Sequence, residues 1–146
     1  SGTLHLIGLL SDGGVHSRYD QLMLLINGAV QHENISRVRL HVLSDGRDVE
    51  EYSAVTWIKR LYNDLEALNT TYGCDAKIAS GGGRMRVTMD RYGSDWEIVK
   101  RGWDAAVLGK AANAFVDPIQ GVADLQVRFY LHSYLHNLYT INDNIH

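Results

Sequence analysis

The chain is poor in cysteine and proline, with one of each among 146 residues. A lone thiol, Cys74, closes no internal disulfide, so packing and hydrogen bonds have to hold the fold. The same scarcity fits a reducing, cytoplasmic setting. Fourteen glycines beside the single proline leave glycine to shape the turns. No apolar run approaches the roughly 18 residues of a membrane-spanning helix. No basic stretch followed by an apolar stretch and a small-residue cleavage site opens the chain, so no secretory leader is read. Fourteen bases against seventeen acids, a net charge of −3, provide no basic footprint for nucleic acid or an anionic membrane. A hydrophobic fraction of 45% excludes intrinsic disorder. The length suits about one domain. A start at Ser1 rather than methionine is read as the mark of an excised or fragmentary product.

What is present alternates in period. Thr3 to Leu10 is a mostly apolar run of strand length, ended by Ser11-Asp12-Gly13-Gly14. From Arg18 to His32 the apolar residues Leu22, Leu25, Ile26, Ala29 and Val30 recur at helical spacing. Arg37 to Leu43 changes to period two, with Val38, Leu40 and Val42 on one face, and predicts a strand. A second helical stripe runs through Ala54, Ile58, Leu61, Leu65 and Leu68, with Ser53 as its expected N-cap. Ala76 to Ser80 reads as a short strand running into a glycine loop at Gly81-Gly82-Gly83-Arg84. A third helix is expected over about 95–107, presenting Ile98, Val99, Trp103, Ala106 and Val107, with Gly109 as its stop. Strand and helix in alternation predict an α/β fold, a layered domain with a mostly parallel sheet covered by helices. Residues 1–112 are assigned to this domain, and 113–146 to a divergent C-terminal tail, helical in part.

Ligands of open parallel sheets bind outside the carboxyl ends of the strands. Three such ends carry polar groups beside glycine. They are Ser11 to Ser17 with His16, Ser44 to Asp48 with Arg47 and Asp48, and Ser80 to Arg84 with Arg86, Asp90 and Arg91 close behind. Arginine forks match carboxylate and phosphate, and glycine lets backbone amides approach an oxyanion. A histidine and an aspartate beside bound oxyanions can handle hydroxyl protons. The rim therefore points to a phosphorylated or carboxylated small molecule. Other features carry less. Ser11 lacks a Gly-x-Ser-x-Gly elbow and reads as a turn. His132 and His136 have zinc-like spacing without a third ligand, and Cys74 has no CxxC partner.

At these loops the sequence acquires a family likeness. Leu4-His5-Leu6-Ile7-Gly8-Leu9-Leu10-Ser11-Asp12-Gly13-Gly14-Val15-His16-Ser17 resembles the opening motif of the phosphotransferase domain of cofactor-independent (2,3-bisphosphoglycerate-independent) phosphoglycerate mutases. Asp45-Gly46-Arg47-Asp48 resembles the next signature of that family. Gly81-Gly82-Gly83-Arg84-Met85 through Thr88-Met89-Asp90-Arg91-Tyr92 resembles the third, in its plant and trypanosomatid form, and the likeness continues through Gly109.

The resemblance implies glycolytic interconversion of 3-phosphoglycerate and 2-phosphoglycerate through a phosphoserine intermediate. It implies two manganese (or magnesium or cobalt) ions, held in a phosphatase domain that this chain lacks, and no metal ligands here. The full-length family implies a monomer. His16, Arg47, Asp48, Arg84 and Arg91 match its substrate-binding residues, with Asp48 orienting and deprotonating a glycerate hydroxyl. The metal ligands, the serine nucleophile and the later Asn-Phe-Arg-x-Asp-Arg stretch have no match in this chain. The isolated chain is therefore expected to be catalytically incomplete. Family character fades beyond about Val122, which suggests a truncated product with an unrelated end. A stand-alone, non-catalytic module binding a small phosphorylated acid is the alternative reading, and a flavodoxin-like cofactor domain a third.

Overall fold

The computed structural model describes residues 2–88, 95–131 and 138–141. In chain order the elements are β1 (Leu4–Leu10), α1 (Tyr19–His32), β2 (Arg37–Ser44), α2 (Ala54–Tyr72) and β3 (Asp75–Gly83). They continue with α3 (Arg84–Val87), α4 (Trp96–Ala106), β4 (Asn113–Phe115), α5 (Pro118–Leu131) and β5 (Leu138–Ile141). The expected α/β architecture is what forms. One sheet has the order β1-β2-β3-β5-β4. β1, β2 and β3 run parallel, while β5 lies antiparallel to β3 and parallel to β4. No helix among the described residues is long and apolar enough to cross a membrane.

Alternation on β2 explains the layering. Val38, Leu40 and Val42 are buried and join Ile26 and Val30 of α1, Ile58, Leu61, Leu65 and Leu68 of α2, and Val122 and Leu125 of α5 in the main core. Leu43, one residue on, turns to the opposite face and packs against Val87 and Ala105. The stripe of α2 buries Ile58, Leu61, Leu65 and Leu68 as its periodicity predicts, while Ala54 at its first turn is only partly buried. Gly73 ends that helix with φ +64° and donates its N–H to the Asn69 carbonyl at 2.8 Å. The Asn69 side chain then ties the turn to β3, accepting from Ala76 N at 2.8 Å and donating to Ala76 O at 3.0 Å.

Five features differ from expectation. Leu25, expected on the apolar stripe of α1, is exposed, while Ile26 and Val30 of that stripe are buried. Gly81-Gly82-Gly83 is not a loop but the end of β3, paired with Val42, Leu43 and Ser44 of β2. β5 pairs with Gly81 and Gly82 on the other side, so the run stays extended between two strands despite the weak strand preference of glycine. Ser53 precedes α2 but makes no side-chain cap, and its buried hydroxyl finds no partner. The backbone there is already helical, with φ −71° and ψ −8°, so the hydroxyl is not aimed at the free amides. Helix α4 packs through its smallest residues: a Cβ on Gly102 would stand 2.0 Å from the Val87 carbonyl oxygen. Ala105 is buried, whereas Trp103 and Val107 of the expected apolar stripe are exposed. Gly109, with φ +63°, does follow the helix end, where Leu108 and Lys110 donate N–H to Asp104 O. Finally, the segment set apart from residue 113 supplies β4, α5 and β5, and β5 hydrogen-bonds directly to β3.

Candidate functional site

The carboxyl ends of β1, β2 and β3 lie side by side, in the register Leu10↔Ser44↔Gly83. The chain after β1 folds tightly. Gly14, at φ +72°, donates N–H to the Ser17 carbonyl at 3.1 Å, and Ser17 Oγ donates to Leu9 O at 2.9 Å. His16 sits at the exposed tip of this turn. Gly13 lets the turn press on the neighbouring loop, since a Cβ there would lie 3.2 Å from Asp48 Cβ, Asp48 O and Val49 Cγ1.

The loop after β2 is organised by Asp45. Its Oδ1 accepts from the backbone amides of Gly46, Arg47 and Asp48 at 2.8, 3.0 and 3.2 Å. Its Oδ2 accepts from Ser11 Oγ at 3.1 Å. Burial acts to raise the Asp45 carboxyl, but the backbone donors and Ser11 outweigh it and hold the group below the ordinary carboxylate range. The far end of the loop is held at Tyr52, a non-glycine residue at φ +65° whose carbonyl accepts from Gln126 Nε2 of α5 at 3.0 Å.

Arg84 begins α3 directly after β3 and is only 3% exposed. Its Nη1 donates to Asp48 Oδ2 at 2.7 Å and to Asp45 Oδ1 at 3.2 Å, and Nη2 donates to Asp48 Oδ1 at 3.4 Å. The bond to Asp48 is the main cause that raises the Arg84 guanidinium further above its ordinary value. Its buried Nε has no hydrogen-bond partner. On another side of Asp48, His16 Nε2 approaches Oδ2 at 3.7 Å. Arg47 follows a different direction: its Nη1 reaches Met85 Sδ at 4.0 Å, and its side chain is exposed. A cleft of about 290 Å³ is lined by Asp45, Arg47, Tyr52, Arg84, Met85 and Leu125, among others, and His16 and Asp48 are not among its walls.

Of the five residues singled out in the sequence, His16, Asp48 and Arg84 form one contact chain, and Arg47 shares the adjoining cleft with Arg84. Arg91 lies outside the described residues. The sequence reasoning missed Asp45 and treated Ser11 as a turn. The available signal was an aspartate between a strand and a glycine, where its carboxylate can cap the following amides. Among the described residues, no three His, Cys, Asp or Glu side chains are grouped to hold a metal ion.

Fold and rim together define an open α/β domain that gathers arginine, aspartate and histidine at the ends of its parallel strands. The chain belongs to the BPG-independent PGAM N-terminus family (iPGM_N), whose model matches residues 1–138. It is 58% identical over 125 residues to the 2,3-bisphosphoglycerate-independent phosphoglycerate mutase of Nicotiana tabacum, covering 86% of this chain and 22% of that protein. With a probable enzyme of the same name, number 2 of Arabidopsis thaliana, it shares 51% identity over 144 residues, 98% of this chain and 25% of the relative. Its fold matches that of Leishmania mexicana phosphoglycerate mutase, crystallised at low cobalt concentration, with a TM-score of 0.86 and 43% identity over 97% of this chain and 26% of the other. The chain thus spans about a quarter of the length of these relatives. The similarity to the Arabidopsis protein and to the Leishmania fold runs well past Val122, where the family character had been expected to fade.

Proposed function

We propose that this chain is the substrate-holding part of a 2,3-bisphosphoglycerate-independent phosphoglycerate mutase, and that it binds 3-phosphoglycerate and 2-phosphoglycerate while the phosphoryl group is moved elsewhere in the longer protein. The observation that supports this most is the Asp48 carboxylate standing between His16 and Arg84 at 3.7 and 2.7 Å. A hydroxy acid carrying a phosphate needs such a set. Arginine forks bind carboxylate and phosphate, a carboxylate accepts a hydroxyl proton, and an imidazole bonds the remaining oxygens. In this reading Arg47, Arg84 and Arg91 hold the anionic ends. Asp48 orients the glycerate hydroxyl that is to receive the phosphoryl group and takes its proton. His16 donates to a substrate oxygen.

Divalent ions and the serine nucleophile belong, in this reading, to the part of the longer relatives outside this chain, which is inactive alone, and the complete enzyme works as a cytoplasmic monomer. Calorimetric titration of the 146-residue chain with 3-phosphoglycerate tests the binding role. Saturable binding that is lost in Arg47→Ala is expected, together with no mutase turnover in the presence of manganese. Absence of binding at millimolar ligand rejects the substrate-holding role for the isolated chain. Turnover that disappears in Arg84→Ala rejects its catalytic incompleteness.

A further inference from the structure

Two aspartates contact the same arginine, but they are built differently. Asp48 is 15% exposed at its side chain, and its recorded side-chain partners are Arg84 and His16. Asp45 is 1% exposed and accepts from Ser11 on the first loop, from three amides of its own loop, and from Arg84 at the end of β3. Each of the three rim segments therefore meets at one carboxylate. An anion arriving at Arg84 has to compete with Asp48, whose two oxygens occupy the outer donors of the guanidinium. It does not have to compete with Asp45, which the surrounding donors fix in the interior.

We propose that Asp45 is the positioning residue of this rim. It keeps Nη1 of Arg84 aimed, and the backbone bearing Arg47 and Asp48 in place, while Asp48 exchanges its hold on Arg84 for the ligand. The exchange rests on the substrate-holding reading above, whereas the fixing of the loop does not. A carboxylate suits the task because one oxygen can take several donors and its charge stays opposite the guanidinium throughout. An asparagine at this place preserves the acceptor for the amides, and its NH₂ can donate to the Ser11 hydroxyl, but the charge facing Arg84 is gone.

The experiment uses the 15N-labelled chain as wild type, Asp45→Asn, Asp45→Ala and Ser11→Ala. Amide exchange is followed by NMR at Arg47 and Asp48, with amides in β2 as internal reference, and each protein is titrated with 3-phosphoglycerate. In Asp45→Ala the two loop amides should exchange at least about tenfold faster relative to β2, and affinity should fall by about tenfold or more. Asp45→Asn should restore loop exchange to within about threefold of wild type yet leave affinity well reduced, because a neutral acceptor replaces a charge-assisted one. A role confined to general stability would instead accelerate β2 and the loop together, and that result overturns the proposal. So does unchanged loop exchange in Asp45→Ala. Should that variant fail to fold, Ser11→Ala, which removes one of five donors, is expected to speed the Arg47 and Asp48 amides by about two- to threefold, and no change there has the same force. If wild type binds no 3-phosphoglycerate, the substrate-holding reading and the exchange at Arg84 both fail, while loop exchange still decides whether Asp45 fixes the rim.

Discussion

Arg84 holds Asp48 by two hydrogen bonds, Nη1 to Oδ2 at 2.7 Å and Nη2 to Oδ1 at 3.4 Å, so that the ends of β2 and β3 are clasped by a side-chain fork. The same guanidinium meets Asp45, and the Arg84 and Asp45 side chains are 4% and 1% exposed.

Removing the cation from that pair leaves a carboxylate inside the protein without its counter-charge. Arg84→Met is therefore expected to cost about 3–5 kcal/mol of stability. Arg84→Lys should recover part of it, since an ammonium supplies charge but not the planar fork. Urea denaturation of both variants checks this. A loss below about 1 kcal/mol in Arg84→Met would mean that the pair is effectively solvated.

Stability should fall with pH in two stages. His41 is buried, donates or accepts at Ser80 Oγ over 2.7 Å through Nδ1, and lies 2.9 Å from His5 Nδ1 through Nε2. Burial first, and then the neighbouring His5, push its imidazole below the ordinary histidine value. A depressed folded pKa means that the unfolded chain takes up the proton first. The contribution is complete above about 6.5 and is lost as pH falls through the folded pKa. Asp45 behaves alike at lower pH: its contribution is complete above about 3.9 and is lost below that, as the carboxyl protonates. Urea midpoints measured from pH 8 to pH 3 should show both declines, and His41→Leu should abolish the first. A flat profile between pH 7 and pH 5 in the wild type would contradict the assignment to His41.

Gly102 is where α4 touches the carbonyl of Val87, with no room for even a methyl group. Gly102→Ala should shift α4 away and cost about 3 kcal/mol, at the upper end of ordinary overpacking. Hydrogen exchange localises the effect: amides of α4 should lose protection while those of α2 keep it.

Gly13→Ala is a milder version of the same test at the rim. Its Cβ would meet Asp48 and Val49 at 3.2 Å, so those atoms must yield by a few tenths of an ångström. A stability loss of about 1 kcal/mol is expected. On the substrate-holding function proposed above, the more informative readout is a fall in 3-phosphoglycerate affinity, because the displaced atoms include the Cβ that carries the Asp48 carboxylate.

Much of the fold is legible in the letters because one-sided burial imposes a period. Val38, Leu40 and Val42 read as a strand, and Ile58, Leu61, Leu65 and Leu68 as a helix, since each set has to face the same core. Glycine carries no such record. Gly81-Gly82-Gly83 reads as a loop because its hydrogen bonds come from β2 and β5, both far away in sequence. The face of α4 was misjudged for a related reason: the contact is made by what Gly102 and Ala105 lack, not by the large side chains nearby. At the rim, His16, Asp48 and Arg84 were visible as charged residues beside glycine. Asp45 was not, because its work is done on backbone amides and a buried arginine, and neither shows in a side-chain pattern.

Between Leu40 and His41 the pairing of β2 with β3 slips by one, from Ile78 to Ser80, leaving Ala79 as a supernumerary residue. That insertion is a change of parity. Upstream of Ala79 the odd and even positions of β3 serve one assignment of faces, and downstream they serve the other. This is why Ser80 meets His41 and why the strand releases its first helical residue with the guanidinium turned toward the two aspartates. Deleting Ala79 alone would close the irregularity and leave Ser80 opposite His41. A ladder that kept Ala79 in step with β2 would instead place it opposite His41 and turn every later residue of the strand, and the departing Arg84, to the other side of the sheet.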